Sequence, residues 1–405
     1  MKHGLKAWLA TGVLCVGAGA AQAQYSDGVI KLGVMNDQSG TYADLSGQGS
    51  VWAAKKAIED FCKTATCHDK IEIVFADHQN KPDIGSNVVR QWFDVDKVDA
   101  VVDVPTSSVA LAVNTITKEK NKVFLVSGAA ASNLTGKDCS PNTVHWTYDT
   151  WALANGTGKA IVTTGGVTWF FLTADYAFGH ALEADTAAVV EKNGGKVVGK
   201  VRHPFPAQDF SSFLLQAQQS KAKIIGLANA GGDTINSIKQ AAEFGIVAGG
   251  QNLAGLLVFI TDVHALSLKT AQGLIMTEAW YWDLNDANRA FAAEFEKANK
   301  GNKPTMVQAG VYSAVFHYLK AVHEMKSDAD GAAVVAKMKS MPTDDALFGK
   351  GTIRADGRKV HDMYLFEVKK PAESKGAWDY YKLRATIPAA EAFRPMDQGD
   401  CPLAK

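Results

Sequence analysis

The chain has 405 residues, its Lys+Arg and Asp+Glu counts are both 42, and 47% of its residues are hydrophobic. That length suggests two or three domains, and the apolar fraction excludes an intrinsically disordered chain. The charge balance lacks the basic footprint of a nucleic-acid binder.

Lys2, His3 and Lys6 form a short basic start, an apolar run follows over residues 7–20, and Ala21 and Ala23 flank Gln22 as small residues. This three-part pattern predicts a secretory signal peptide over residues 1–23, cleaved before Gln24. The run contains Thr11 and several glycines and falls short of the ~20 residues that a spanning helix needs. No later stretch is long and apolar enough to cross a bilayer, so the expectation is a soluble exported product.

Export changes the meaning of the cysteines. Without Cys15, the chain keeps Cys62, Cys67, Cys139 and Cys401, an even set in an oxidising compartment. Disulfides are expected, with three connectivities open. The simplest closes the short loop between Cys62 and Cys67 and leaves Cys139 and Cys401 to tie the tail to the first half. A zinc site using Cys62, Cys67 and His68 is the weaker alternative, because further ligands lack compact spacing.

Strands and helices then alternate. Residues 29–35 read as a buried strand, 47–61 as a helix, 71–75 as a strand and 82–95 as a helix opened by Pro82. Strand 100–104, helix 108–120 and strand 122–126 continue the series. The pattern restarts with strand 169–172, helix 176–192, strand 196–202, helix 210–220, strand 223–228 and helix 233–244. This order predicts α/β architecture with two mostly parallel sheets, each covered by helices. Helices at 288–298 and 306–325 have no strands of their own and are expected to return to the first unit. Residues 352–368 read as a hairpin turning at Asp356 and Gly357.

Enzyme motifs are largely absent. Gly156 to Lys159 (GTGK) resembles a phosphate loop but has Leu153 in place of the first glycine and Ala160 in place of the hydroxyl residue. Gly47 and Gly49 are followed by Trp52 where a dinucleotide fingerprint needs glycine. The sequence has no Gly-x-Ser-x-Gly elbow, and its ten histidines are scattered.

The informative residues follow strand ends, where open α/β sheets bind ligands. They include Tyr42, then Thr106, Ser107 and Ser108, then Ala130 and Ser132, and in the second unit Tyr176, Phe178, Asn229, Ala230 and Asp233. Small hydroxyl residues at a helix start suit a carboxylate, although helix capping alone also explains them. Trp146, Tyr148 and Asp149 lie between the units. Trp280, Tyr281 and Trp282 lie where the chain should cross back, and such positions can line a cleft between the units.

Gly33 to Gly40 (GVMNDQSG), Ser107-Ser108, Gly128 to Ser132 (GAAAS) and Asp175 to Gly179 (DYAFG), together with the signal peptide, resemble the periplasmic solute-binding proteins of ABC importers, Leu/Ile/Val-binding or type I class. The resemblance covers the whole exported chain. It implies two Rossmann-like lobes joined by a three-segment hinge, with a monomer that binds a small molecule and delivers it to a membrane permease. It implies no cofactor, no catalysis and no nucleic acid. Lobe 1 is then expected over 24–146 plus 279–349, lobe 2 over 147–278 plus 350–390, and a tail over 391–405.

Carried over by resemblance, the carboxylate-binding groups fall on Ser107, Ser108, Ala130 and Ser132, and the second-lobe aromatic on Phe178. Tyr42, Tyr148, Asp149, Asn229, Ala230 and Tyr281 complete the expected ligand set. The family's ammonium-binding acid should lie near Asn229 and Ala230, where this chain has no glutamate. The implied ligand is a branched-chain amino acid or related small carboxylate, with an aromatic carboxylate or a short amide as the alternative. A secreted hydrolase and a sensor domain are the competing classes.

Overall fold

The computed structural model describes residue 1, residues 25–64, residue 67 and residues 70–405. Apart from Met1, the predicted signal peptide lies outside the described residues, as does His68.

The first half builds β1 (Val29–Asn36), α1 (Gly47–Thr64), β2 (Lys70–Asp77), α2 (Pro82–Asp94), β3 (Ala100–Asp103), α3 (Ser107–Glu119), β4 (Val123–Val126) and β5 (Thr143–His145). Its five strands are parallel, in the order β2-β1-β3-β4-β5. β3 and β4 are buried along their whole length, as expected of strands covered on both faces. Met35, Val101, Phe124 and Val126 point to α2 and α3, while Leu32, Val34, Val102 and Leu125 join the core on the α1 face.

The chain then passes through α4 (Thr150–Leu153), a π turn (Ala154–Gly158) and α5 (Lys159–Thr163) into a second unit. β6 (Thr168–Ala174), α6 (Ala177–Lys192), β7 (Lys196–His203), α7 (Ser211–Gln219), β8 (Ile224–Ala228), α8 (Gly232–Glu243), β9 (Asn252–Gly255) and α9 (Ile260–Ala271) follow. Their sheet is also parallel and repeats the order, β7-β6-β8-β9. The side-chain period of two explains the aromatic run in β6. Trp169 and Phe171 face one core, while Phe170 and Leu172 face the other.

β10 (Ile275–Glu278) leads out of this unit. α10 (Asp286–Ala298) and α11 (Met306–Met325) pack against α1, through Trp52 against Phe291 and Phe295 and through a long α1–α11 contact. α12 (Gly331–Ser340) packs beside α11 and β4. β11 (Thr343–Asp345), β12 (Gly349–Ile353) and β13 (Lys359–Val360) form a small antiparallel sheet, and β14 (Met363–Val368) and β15 (Tyr381–Ile387) join β10 in another.

The 352–368 region therefore corrects the hairpin reading. The turn at Asp356 and Gly357 is present, with Gly357 at φ +85°, and β12 pairs across it with β13, but that second arm is only two residues long. Arg358 bridges to His145 at the edge of the first sheet, and the chain redirects before β14 pairs with β10. Strands on either side of residue 349 pair with each other, so the small sheet is one unit.

The cysteines pair as Cys62–Cys67 and Cys139–Cys401, with Cα separations of 4.9 and 5.7 Å. The second bond joins residues 262 positions apart.

Candidate functional site

Both parallel sheets reverse their winding beside their first strand, which is where open α/β sheets form a crevice at the strands' carboxyl ends. The two crevices face each other. The space between them is about 230 Å³ counted out to open solvent, of which about 10 Å³ admits the centre of a water-sized sphere. Each lining residue lies in a connection that follows a strand: Tyr42 and Leu45 after β1, Pro105 after β3, Gly128 and Ala130 after β4, and Tyr148 after β5. The opposite lobe supplies Tyr176 and Phe178 after β6, Ala230 after β8, and Leu257 and Phe259 after β9. Two larger hollows lie on the outside of the first lobe, one rimmed by Lys55, Lys56, Glu59 and Glu294 and the other by Asp44, Lys300 and Lys303. Neither receives residues from both lobes.

Local hydrogen bonds explain why Tyr42 sits here. The buried Asp37 carboxylate accepts from the Gly40 NH at 2.6 Å, the Tyr42 NH at 2.9 Å and Asn80 Nδ2 at 2.6 Å, which folds the loop over. Tyr42 Oη then meets Tyr176 Oη at 2.5 Å across the cleft. Phe205 stacks on Tyr176 at 4.3 Å and tilts against Tyr42 at 5.4 Å. Burial pushes both tyrosine hydroxyls above their ordinary range, so both are neutral. Beside them, the Gly232 NH donates to the Thr41 carbonyl at 3.3 Å.

Of the expected site residues, Tyr42, Ala130, Tyr148, Phe178 and Ala230 come together around this cavity. Tyr148 is fixed by its hydroxyl, which donates to the Gly128 carbonyl at 2.6 Å. Ser107 stands one layer behind: its Oγ accepts from the NH groups of Ala130 and Ala131 at 3.3 and 3.2 Å. Ser108 is half-buried on the first turn of α3 and does not line the cavity.

Ser132, Asp149, Asn229 and Tyr281 do not line the cavity, and each has another partner. Ser132 Oγ donates to Asp185 Oδ2 at 2.8 Å. Asp149 caps α4 by accepting from the Ala152 NH, and it faces the buried Arg358 guanidinium at 3.4 Å. Asn229 bonds Thr234 Oγ1 and His203 within the second lobe. Tyr281 belongs to that lobe's core, tilted against Phe366 and Tyr381, with its hydroxyl donating to the Trp378 carbonyl. Leu45, Pro105, Leu257 and Phe259 line the cavity without having been expected. For Leu257 and Phe259 the available signal is the apolar run 256–260 directly after β9.

Charge is kept out of the cavity. No lining side chain is acidic or basic. Asp233, at the start of α8, is buried, and its Oδ1 accepts from the Ala207 NH at 2.9 Å. Burial pushes its carboxyl up to about 7. Among the described residues, no group of acidic, histidine or cysteine side chains could hold a metal ion.

Two parallel-sheet lobes with a cavity between facing strand ends define the type I class of periplasmic binding proteins. A profile described as periplasmic binding protein matches residues 29–377, and the chain belongs to that family. A solved periplasmic binding protein from Burkholderia mallei is 52% identical, spans 94% of this chain and all of its own, and superposes with a TM-score of 0.90. A branched-chain amino acid ABC transporter periplasmic ligand-binding protein from Burkholderia xenovorans is 40% identical, spans 93% of this chain and all of its own, and has a TM-score of 0.81. A Leu/Ile/Val-binding protein homolog 6 from Brucella melitensis is 27% identical over 376 residues, covering 89% of this chain and 93% of that protein. The family is one of binding proteins, and membership implies a periplasmic location. Among the described residues, no helix is long and apolar enough to cross a membrane.

Proposed function

We propose that the protein is a receptor for a small carboxylate with a flat or branched apolar body, which it delivers to the permease of an ABC importer. The observation that carries this reading is the lining itself: aromatic and aliphatic groups from both lobes, with no charged side chain. Such a wall suits an apolar body, and five aromatic rings suit a planar one. A zwitterionic amino acid would need a partner for its ammonium, and a buried charge without one is strongly unfavourable. An aromatic or aliphatic acid without an amine has only its carboxylate to satisfy. Its carboxylate would dock on the Ala130 wall and take over the Ala130 and Ala131 NH groups that now donate to Ser107 Oγ. The second lobe then closes Tyr176 and Phe178 over the ligand.

A branched-chain amino acid is the second reading, favoured by the description of the 40% identical Burkholderia xenovorans relative. The lobe boundaries proposed with this function are those expected above, except that residues 350–360 go with the first lobe so that the β11–β13 sheet stays whole.

The test is a thermal-shift and calorimetric panel of benzoate, phenylacetate, 3-methylbutanoate, leucine, isoleucine and valine, with a sugar and a nucleoside as controls. A ligand at a hundred times its Kd stabilises the native state by about 2.7 kcal/mol. Stabilisation by the amine-free acids supports the first reading, and stabilisation by the amino acids alone supports the second. Stabilisation by the sugar or nucleoside alone overturns both.

A further inference from the structure

The chain crosses between the lobes after β5, after β10 and again before β14. The tail makes a further passage. β15 lies in the β10–β14–β15 sheet, whose Phe366, Val368 and Tyr381 belong to the second-lobe core. Just beyond it, the Ala389 NH donates to Asp362 Oδ1 at 2.8 Å, and Asn155 Nδ2 donates to the Glu391 carbonyl at 2.9 Å. Phe393 then packs on the His361 ring at 5.4 Å and under the Arg358 guanidinium at 4.5 Å, both in the third crossing. From there the tail lies on the first lobe. Arg394 donates to the Ser132 carbonyl at 3.0 Å and its own carbonyl accepts from Arg354 at 2.8 Å. Gly399 lies against the Thr135 carbonyl, and Cys401 closes the passage covalently on Cys139.

Ser132 is the point where these elements meet. Its carbonyl is held by the tail and its NH donates to Thr150 Oγ1 at 3.1 Å. Its hydroxyl donates to Asp185 on α6 of the second lobe, which also accepts from Thr150 at 2.6 Å. Ser132 is also two residues from the cavity wall at Ala130.

We infer that the C-terminal tail is a fourth, disulfide-anchored connection between the lobes, which holds the 130–136 loop in place and limits how far the cleft opens. The inference rests on the proposed cleft function for its importance but not for its test, which needs no ligand. A crossing fixed at both ends restricts relative motion of the bodies it joins, and both sulfurs are buried, so the anchor is a permanent one. Arg394 acts as a positioning residue through the Ser132 carbonyl.

The test compares the wild type with C139S/C401S, with R394Q, and with C62S/C67S, whose disulfide lies within the first lobe and serves as a control. Amide hydrogen exchange over residues 130–136 and the radius of gyration from X-ray scattering are measured in the unliganded full-length protein. The expectation for C139S/C401S is exchange in that loop faster by about tenfold, with a larger radius of gyration and C62S/C67S unchanged. R394Q retains both disulfides and should accelerate loop exchange in the same direction. Should C139S/C401S fail to fold, as judged by near-ultraviolet circular dichroism, R394Q decides. Loop exchange unchanged in R394Q, or exchange and radius both unchanged in a folded C139S/C401S, overturns the inference. A ligand panel without a hit would count against the proposed function and leave these readouts intact.

Discussion

Tyr42 of the first lobe and Tyr176 of the second share a hydroxyl–hydroxyl hydrogen bond of 2.5 Å at the mouth of the cavity. Tyr42 is held in the first lobe by its NH on Asp37, and Tyr176 stacks with Phe205 in the second, so the bond exists only when the lobes are together. Removing either hydroxyl should shift the balance towards the open form by the net value of one buried hydrogen bond, about 0.5–1.5 kcal/mol. Y42F and Y176F should each weaken binding of the best ligand from the panel by about two- to tenfold. The double variant should be no weaker than the worse single one, because the two changes delete one bond. Fully additive losses by calorimetry would show that each hydroxyl acts separately.

Gly231 governs the same closure through the backbone. It sits at φ +57° and ψ −131°, and a Cβ there would lie 2.5 Å from the Thr41 carbonyl and 2.9 Å from the Tyr42 ring. G231A therefore meets both an unfavourable backbone conformation and a clash across the cleft. The expected result is a folded protein whose ligand affinity falls by tenfold or more, with a larger radius of gyration at saturating ligand. Wild-type affinity would mean that the lobes need not approach this closely.

Asp149 pairs at 3.4 Å with Arg358, which is fully buried and also donates to the Tyr148 carbonyl. Taking away one member of a buried ion pair strands the other, typically at 3–5 kcal/mol. D149N should lower the denaturant midpoint by an amount of that order while leaving the cavity lining unaltered. A loss below about 1 kcal/mol would place the Arg358 charge on other acceptors.

Stability should depend on pH through Asp233. Its carboxyl is raised to about 7 by burial, with the Ala207 NH acting in the opposite sense. Between about pH 4 and 7 the unfolded chain ionises this group while the folded chain keeps it protonated. Folded protein then binds more protons, so this group's contribution favours folding below pH 4 and is lost as pH rises towards 7. His203, whose Nδ1 lies 3.9 Å away, is itself pushed below its ordinary range by burial and does not supply a cation there at neutral pH. D233N cannot ionise, so relative to wild type its melting temperature should improve on going from pH 4 to pH 8. A constant difference across that range would contradict the assignment.

Much of the fold is legible because the core strands are continuous apolar runs and the helices carry clear periodicity, as in 100–103 and 82–94. The short strands at 143–145 and 252–255 are not, since neither is long enough to show a period. The strand ends that build the cleft could be read in the same way, which is why Tyr42, Ala130, Tyr148 and Phe178 were found. What the sequence hides is direction. Ser132, Asn229 and Tyr281 have the right chemistry at the right strand ends, yet each is bonded away from the cavity by a partner more than four residues distant in sequence. Phe259 reads as ordinary core and instead closes the wall.

One buried cluster runs without interruption from Leu32 and Trp146 in the first lobe, through Tyr42, Ala130, Phe178 and Phe259 at the cleft, to Trp169 and Leu182 in the second. Opening the lobes must split that cluster and wet the aromatic faces along the seam. The driving force for keeping apolar surface dry weakens on cooling and carries a negative heat-capacity change on burial. Closure is therefore partly thermal in origin: chilling should loosen the seam before any ligand is added, and ligand binding should become more negative in enthalpy with each degree of warming.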